Sequence, residues 1–193
     1  RDFERLILPR AVTIVAPGLM RRRVARETER RLAGDVLAGA LGGLADPAEL
    51  RRRLEPFGIG EEAAVLVFDV DNAGGAALTL EASLTAAGCP AVVAPHEIGG
   101  RELLCAVVDA ADQDPLEVAA KARKALLAER PGVRAAPSRP APPENLRHSF
   151  HEARCALEAT AFANGSAPEV ASWRDIGAFT LLLSIQDDDA LSL

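Results

Sequence analysis

The chain has 193 residues, of which 49% are hydrophobic, so it can bury a core and is not disordered as a whole. Its 28 acidic and 22 basic residues give a net charge of −6, which argues against binding nucleic acid through a broad basic surface. No apolar run reaches the roughly 18 residues of a membrane span, so no membrane partner is expected. Three scattered cysteines suit a reducing compartment, and we expect a cytoplasmic protein.

Residues 1–45 have the pattern of a helical extension, and the chain, which begins at Arg1, is interpreted as a piece of a longer protein. An apolar stripe with helical spacing consists of Leu8, Val12, Val15 and Leu19. Pro17-Gly18 is expected to kink or break this helix. The arginine-rich residues 21–31 then predict a solvated helix face with ion pairs or, alternatively, a signalling helix that pairs between protomers.

Two segments carry the same helix-start signal, 46–49 (Asp-Pro-Ala-Glu) and 114–117 (Asp-Pro-Leu-Glu). In each segment the Asp is the capping residue, the Pro suits the first helical position and the Glu completes a capping box. We expect these two helices to end near Pro56 and Arg130. Two further helices are predicted from about Pro143 to Asn164 and over about 177–185.

Short apolar runs between these helices predict strands. The run 63–70 is bounded by polar residues and fits a central, fully buried strand. The runs 91–96 and 103–108 flank Gly99-Gly100, which predicts a hairpin with glycines at its turn. A helix is predicted over 75–87 and a fourth strand over 133–136. The order strand, helix, strand, strand, helix, strand predicts a ferredoxin-like α+β sandwich within residues 46–193, with extra helices after it.

The hairpin turn carries the residues Ile98-Gly99-Gly100-Arg101-Glu102-Leu103, which resemble a degraded GGDEF motif. In diguanylate cyclases this motif stands on the corresponding turn, and a metal-binding aspartate ends the first strand, where this chain has Asp69 and Asp71. The resemblance implies a nucleotide-cyclase-like (GGDEF-like) fold and a degenerate nucleotide or metal site. Its residues are Asp69, Asp71, Gly99, Gly100, Arg101 and Glu102. In such a site carboxylates hold a divalent metal against a triphosphate, and glycines let the backbone approach the nucleotide.

The motif departs from that of an active cyclase in several ways. Arg101 replaces the acidic third residue and Leu103 replaces Phe, while the Phe-Lys pair, the base-reading Asn and Asp and the RxxD inhibitory motif are missing. A cation in place of a carboxylate repels metal, so we predict no catalysis, no bound metal and no cofactor. The alternative interpretation of Asp69 and Asp71 is ordinary turn chemistry after a strand, and that of Glu102 is a solvated hairpin residue.

Three longer stretches resemble the PucR or CdaR family of transcriptional regulators, which have a GGDEF-like middle domain. They are residues 23–37, 46–59 and 146–183, and the last is the most specific because Ser149, Glu152-Ala153-Arg154 and an Asp-x-Gly element occur in order. The resemblance implies a catalytically inactive module that forms a homodimer and relays a signal to a helix-turn-helix beyond residue 193. DNA would be bound only through that missing domain. The alternative is a divergent diguanylate-cyclase-like domain that binds guanine nucleotide.

Other residues carry weaker signals. Cys89, His96 and Cys105 lack metal-ligand spacing, and a buried thiol is the expected state of Cys105. Gly74-Gly75 before a helix is only a weak signal for phosphate binding. Trp173 is expected to anchor the last helix in the core.

Overall fold

The computed structural model describes residues 31–42, 46–162 and 170–173. The helices are α1 (31–42), α2 (Pro47–Leu54), α3 (Ala73–Ala86), α4 (Pro115–Leu127) and α5 (Leu146–Phe162). The strands are β1 (Ala63–Asp69), β2 (Ala91–Ile98), β3 (Arg101–Asp109) and β4 (Arg134–Pro137). None of the described helices is long and apolar enough to cross a bilayer. The predicted stripe of residues 8–19 and the predicted helix at 177–185 lie outside the described residues.

The four strands form one antiparallel sheet in the order β2-β3-β1-β4. The central strand β1 pairs with β3 on one side, where Val65 faces Val107, and with β4 on the other, where Asp69 faces Arg134. All of β1 except its last residue is buried, because its continuous apolar run meets helices on both faces of the sheet. The predicted order of strands and helices is confirmed, and with it the α+β fold.

Helices cover both faces of this sheet. Alternate residues of β1 point to opposite sides and therefore meet different helices. Val65 and Val67 pack in one hydrophobic cluster with α1, α2 and α5. Leu66 and Phe68 pack in a second cluster with α3 and α4. The sequence predicted all five helices. Only the structure shows that α1, α2 and α5, which come before and after the ferredoxin-like unit, form a third layer.

Helix α1 contributes to this core with one of its sides. Ala33, Leu37, Ala40 and Leu41 are buried at helical spacing, while Leu32 on the other side is 56% exposed. Part of the predicted N-terminal extension therefore shares the core of the sheet. The predicted boundary between an extension (1–45) and a domain (46–193) stays a prediction.

The two Asp-Pro helix starts cap their helices as predicted. Asp46 accepts a hydrogen bond from the backbone N–H of Glu49 at 3.3 Å, and Asp114 accepts one from that of Leu116 at 3.0 Å. The carboxylate of Glu49 binds two arginines of its own helix, one turn further on. The second half of the predicted capping box at α2 is thus replaced by ion pairs along the exposed helix face.

Candidate functional site

Asp69 ends β1 between two arginines that come from the neighbouring strands. Arg101, the first residue of β3, donates from Nη2 to Oδ2 of Asp69. Arg134, the first residue of β4, donates to the same oxygen from Nη2 and, at 3.1 Å, from Nε. The sheet places them there because β3 and β4 flank β1 and the register sets Arg134 opposite Asp69. The structure thus brings together two of the predicted site residues, Asp69 and Arg101, as an ion pair.

The charge balance of this cluster is positive. Burial raises the pKa of the Asp69 carboxyl, but the hydrogen bonds and charges of Arg134 and Arg101 outweigh burial, so the pKa lies below its usual value. The carboxyl is therefore ionised at neutral pH, and one negative charge is surrounded by two positive ones. A divalent cation would have to displace both guanidiniums and approach a group of net positive charge.

The glycine turn has the backbone that the predicted hairpin requires. Gly99 (φ +58°) and Gly100 (φ +75°) are both left-handed, and Ile98 pairs with Arg101 across the turn. Apart from the chain neighbours of each glycine, no atom of the described residues lies within 4 Å of the position that a Cβ would take there, so the turn is open. The glycines are explained by the turn itself, whether or not a nucleotide approaches it.

The other two predicted site residues, Asp71 and Glu102, are exposed. Glu102 lies opposite Glu97 across the hairpin, so two acidic residues face each other near the turn. Among the described residues, no three Asp, Glu, His or Cys side chains lie together in the way that a metal site requires. The carboxylates that a metal site needs are therefore present at this end of the sheet but are not assembled around one point.

Sequence reasoning missed Arg134. It concentrated on the residues of the turn motif, whereas Arg134 lies 65 residues after Asp69. The pairing rule was the signal that could have found it: in a ferredoxin-like sheet β4 runs antiparallel beside β1, so its first residue meets the last residue of β1. A cation at the start of β4 favours an ion pair with that aspartate over a metal site.

The loop between β1 and α3 is closed by the side chain of Asn72. This residue has a left-handed backbone (φ +54°), caps α3 and accepts a hydrogen bond from the N–H of Gly75 at 3.1 Å. A Cβ on Gly75 would meet Nδ2 of Asn72 at 2.5 Å, so a larger residue there would force the capping side chain to shift. One of the two glycines that carried a weak phosphate signal thus has a structural role.

Two cavities among the described residues lie away from Asp69. The larger, of about 640 Å³, is bounded by α1, α3 and the edge strand β2, with Ala33, Leu78 and Val92 in its walls. The smaller, of about 280 Å³, includes Gly74. Neither cavity is lined by Asp69 or its two arginines. The residues that resemble a catalytic motif and these concave surfaces therefore do not coincide.

The cysteines do not form a shared site with His96. Cys89 packs on the α3 and α4 side of the sheet and Cys105 on the α1, α2 and α5 side, so the sheet separates them. Cys105 is fully buried, as predicted, and burial raises the pKa of its thiol to about 12. Among the described residues, no three His, Cys, Asp or Glu side chains are grouped as metal ligands.

Comparison with known proteins identifies the family. The GGDEF-like domain family matches residues 41–159, which is more than half of the chain. No curated protein matches it. The chain is similar to the crystal structure of the Regulator of Polyketide Synthase Expression from Bifidobacterium adolescentis, with a TM-score of 0.54 and 14% identity over 82% of this chain and 60% of that chain. At this identity the likeness concerns the fold, and the chain spans less than two thirds of that protein. The chain belongs to the GGDEF-like domain family.

Proposed function

We propose that the chain is a catalytically inactive regulatory and dimerisation module of a PucR- or CdaR-type transcriptional regulator. It relays a signal to a helix-turn-helix that follows it in the full-length protein. Membership of the GGDEF-like family and the likeness to a protein described as a regulator of expression support a regulatory role. The three stretches that resemble PucR or CdaR proteins support the choice of family.

The pairing of Asp69 with Arg101 and Arg134 is the observation that carries the proposed inactivity. Cyclic nucleotide formation from a triphosphate needs carboxylates that hold metal ions against the phosphates. Here the carboxylate at the expected position, that of Asp69, accepts hydrogen bonds from two guanidiniums. The turn has an arginine, Arg101, at the position where an active cyclase has an acidic residue. The positions that hold metal in a cyclase are therefore joined in this chain by ion pairs between the ends of β1, β3 and β4.

The test is incubation with GTP and magnesium or manganese, followed by chromatography of the nucleotides. We expect no cyclic di-GMP from the natural chain. We also expect none from Arg101→Asp, which restores an acidic turn residue, because Arg134 still holds Asp69. An active diguanylate cyclase serves as the positive control. Product above a buffer blank from the natural chain would overturn the proposal.

A second candidate function is binding of guanine nucleotide without turnover. It is favoured by the open backbone at Gly99 and Gly100 and by the net positive charge of the Asp69 cluster. Calorimetric titration with GTP separates the two candidates. Saturable binding that is weakened by Arg101→Ala would favour the nucleotide sensor, whereas no binding at millimolar GTP would favour the purely structural module.

DNA binding and dimerisation belong to the same proposal. With a net charge of −6 the chain alone is expected to bind duplex DNA weakly or not at all, which a gel-shift titration at moderate salt measures. Tight, sequence-specific binding would place the DNA-binding surface in this chain.

We expect a homodimer through residues 1–19, because a two-fold regulator suits palindromic operators. Sedimentation of the chain with and without those residues tests this, and two monomers would contradict it.

A further inference from the structure

The piece of chain that follows α5 is docked on the free edge of β4. We call residues 170–173 the exit segment, since they are the last described residues after α5. Val170 pairs in parallel with Ala135 of β4, and Ala171 donates its N–H to the Ala135 carbonyl at 3.0 Å. Ala171 and Ser172 are buried. The exit segment thus occupies the position of a fifth strand.

A proline limits this docking to a short stretch. Ser138 donates its N–H to the carbonyl of Val65 at 2.8 Å, so the alternate residues Ala135 and Pro137 turn their backbone groups outward. Pro137 has no N–H, and the outer edge therefore offers no donor at that position. The pairing with β4 therefore rests on the bridge at Ala135, and a strand that pairs over a short stretch detaches more easily than the strands inside the sheet.

Arg139 holds the far end of the exit segment. Its guanidinium carbon lies 5.2 Å from the ring centre of Trp173, a cation–π contact. Its Nε donates to Glu152 of α5 at 2.7 Å, and its backbone N–H donates to the other carboxylate oxygen at 2.9 Å. Glu152 is only 7% exposed, so it fixes Arg139 in place. Arg139 therefore links α5 to the exit segment.

Arg134 connects the same edge to the degenerate site. It precedes Ala135 in β4, binds Asp69 and reaches the carbonyl of Leu157 in α5 at 3.5 Å. Residues 134–139 are thus held to α5 at both ends, and the exit segment docks between these two attachments. A movement of Arg134 would move the neighbouring carbonyl that accepts the hydrogen bond of the exit segment.

We propose that the exit segment is a detachable strand, that Arg139 is its latch, and that the Asp69–Arg134 pair sets the edge on which it docks. The regulatory meaning rests on the proposed function. The exit segment leads to the C-terminal residues of the chain, after which a DNA-binding module is expected, so its release changes how that module is held. The docking equilibrium itself does not depend on that module.

Trp173 is the only tryptophan and the chain has no tyrosine, so intrinsic fluorescence reports on the exit segment. Arg139→Met removes the cation, and loss of one cation–π contact shifts a docking equilibrium by about two- to fivefold. We expect acrylamide quenching of Trp173 to rise while the far-ultraviolet circular dichroism stays unchanged. Ala171→Pro removes the N–H that donates to Ala135 and should raise quenching as well. It also provides a test if Arg139→Met does not fold.

The control is Lys121→Met on α4, where the side chains of Lys121 and its partner Glu117 are mostly exposed to solvent. This variant should quench like the natural chain. Quenching at the natural level in folded Arg139→Met and folded Ala171→Pro would overturn the detachable strand. These results are unaffected by whether cyclic di-GMP forms, so a failure of the proposed function is distinguishable from a failure of this inference.

Asp69→Asn tests the connection to the degenerate site. The substitution keeps the shape of the side chain but removes the charge that holds Arg134, and we expect quenching of Trp173 to rise by less than in Arg139→Met. A rise supports control of the docking edge by the Asp69–Arg134 pair. If Arg139→Met raises quenching and Asp69→Asn leaves it at the natural level, that part of the proposal is wrong.

Discussion

Two carboxylates near opposite ends of residues 134–139 are paired with arginine in different ways. Asp69, whose side chain is 23% exposed, binds Arg101 and Arg134. Glu152 binds one arginine, Arg139, and also accepts its backbone N–H, and the Glu152 side chain is only 8% exposed. The first pairing therefore lies close to solvent, while the carboxylate of the second is enclosed by α5 and the strand edge.

The difference between the two pairings shows that a residue can resemble part of a catalytic motif without being the more important one for the fold. The sequence pattern indicated Asp69 as a possible metal ligand, and it included Glu152 only as one residue of a longer family stretch. In the structure the Asp69 side chain is 23% exposed, whereas that of Glu152 is 8% exposed and is an ionisable group with little access to water. We expect the loss of an arginine partner to cost more at Glu152 than at Asp69.

The largest effect is expected for Arg139→Met, which leaves the buried carboxylate of Glu152 with a backbone N–H as its remaining donor from residue 139. The free energy of unfolding should fall by about 2–4 kcal/mol. Glu152→Gln leaves Arg139, which is 47% exposed, free to turn to water, and should cost about 1 kcal/mol. Urea unfolding of both variants measures the asymmetry. The reverse order of the two effects would contradict the burial of Glu152.

A smaller effect is expected at the degenerate site. Asp69→Asn should lower the free energy of unfolding by about 1 kcal/mol, because the pairs it removes are partly solvated. Arg134→Met should cost more than Arg101→Met, since Arg134 is the less exposed and also reaches the carbonyl of Leu157. Thermal unfolding of the three variants at neutral pH tests the order. Equal costs for the two arginines would show that the contact with α5 contributes nothing.

The pH dependence of stability sharpens the same comparison. The pKa of Asp69 is lowered in the folded state, because its two arginines outweigh burial. A depressed carboxyl pKa stabilises the fold above the unfolded value of about 3.9, and this contribution is lost as the pH falls through the folded pKa. The difference in stability between the natural chain and Asp69→Asn should therefore be constant at neutral pH and shrink below about pH 4. A difference that does not begin to shrink below about pH 4 would contradict the ion pairs.

Salt should produce the smallest effect and should distinguish the two carboxylates. Raising sodium chloride to about 1 M shortens the screening length to about 3 Å, which weakens exposed ion pairs more than enclosed ones. The cost of Asp69→Asn should fall by a few tenths of a kcal/mol, while that of Arg139→Met should change less. Urea unfolding at low and high salt provides the measurement. If salt changed the unfolding cost of both variants equally, the two carboxylates would not differ in their exposure to solvent.

Much of the fold was predictable because the signals are local. The apolar run at 63–70 predicted β1, and the Asp-Pro starts at 46 and 114 predicted two capped helices. The neighbourhood of Asp69 and Arg101 was also predictable, since the end of the first strand and the hairpin turn lie at one edge of such a sheet. The third layer was not, because apolar spacing shows that α1 has a buried side but not what that side meets.

The amino-acid sequence by itself determined the order of strands and helices, the glycine turn and the loss of the acidic turn residue, because these depend on local spacing and residue type. Only the tertiary structure decided that Asp69 is an ion-pair partner. Its two arginines lie 32 and 65 residues further along the chain and reach it through the pairing of β3 and β4 with β1. The docking of residues 170–173 has the same origin, because strand pairing joins backbone groups that carry no sequence signal of their own.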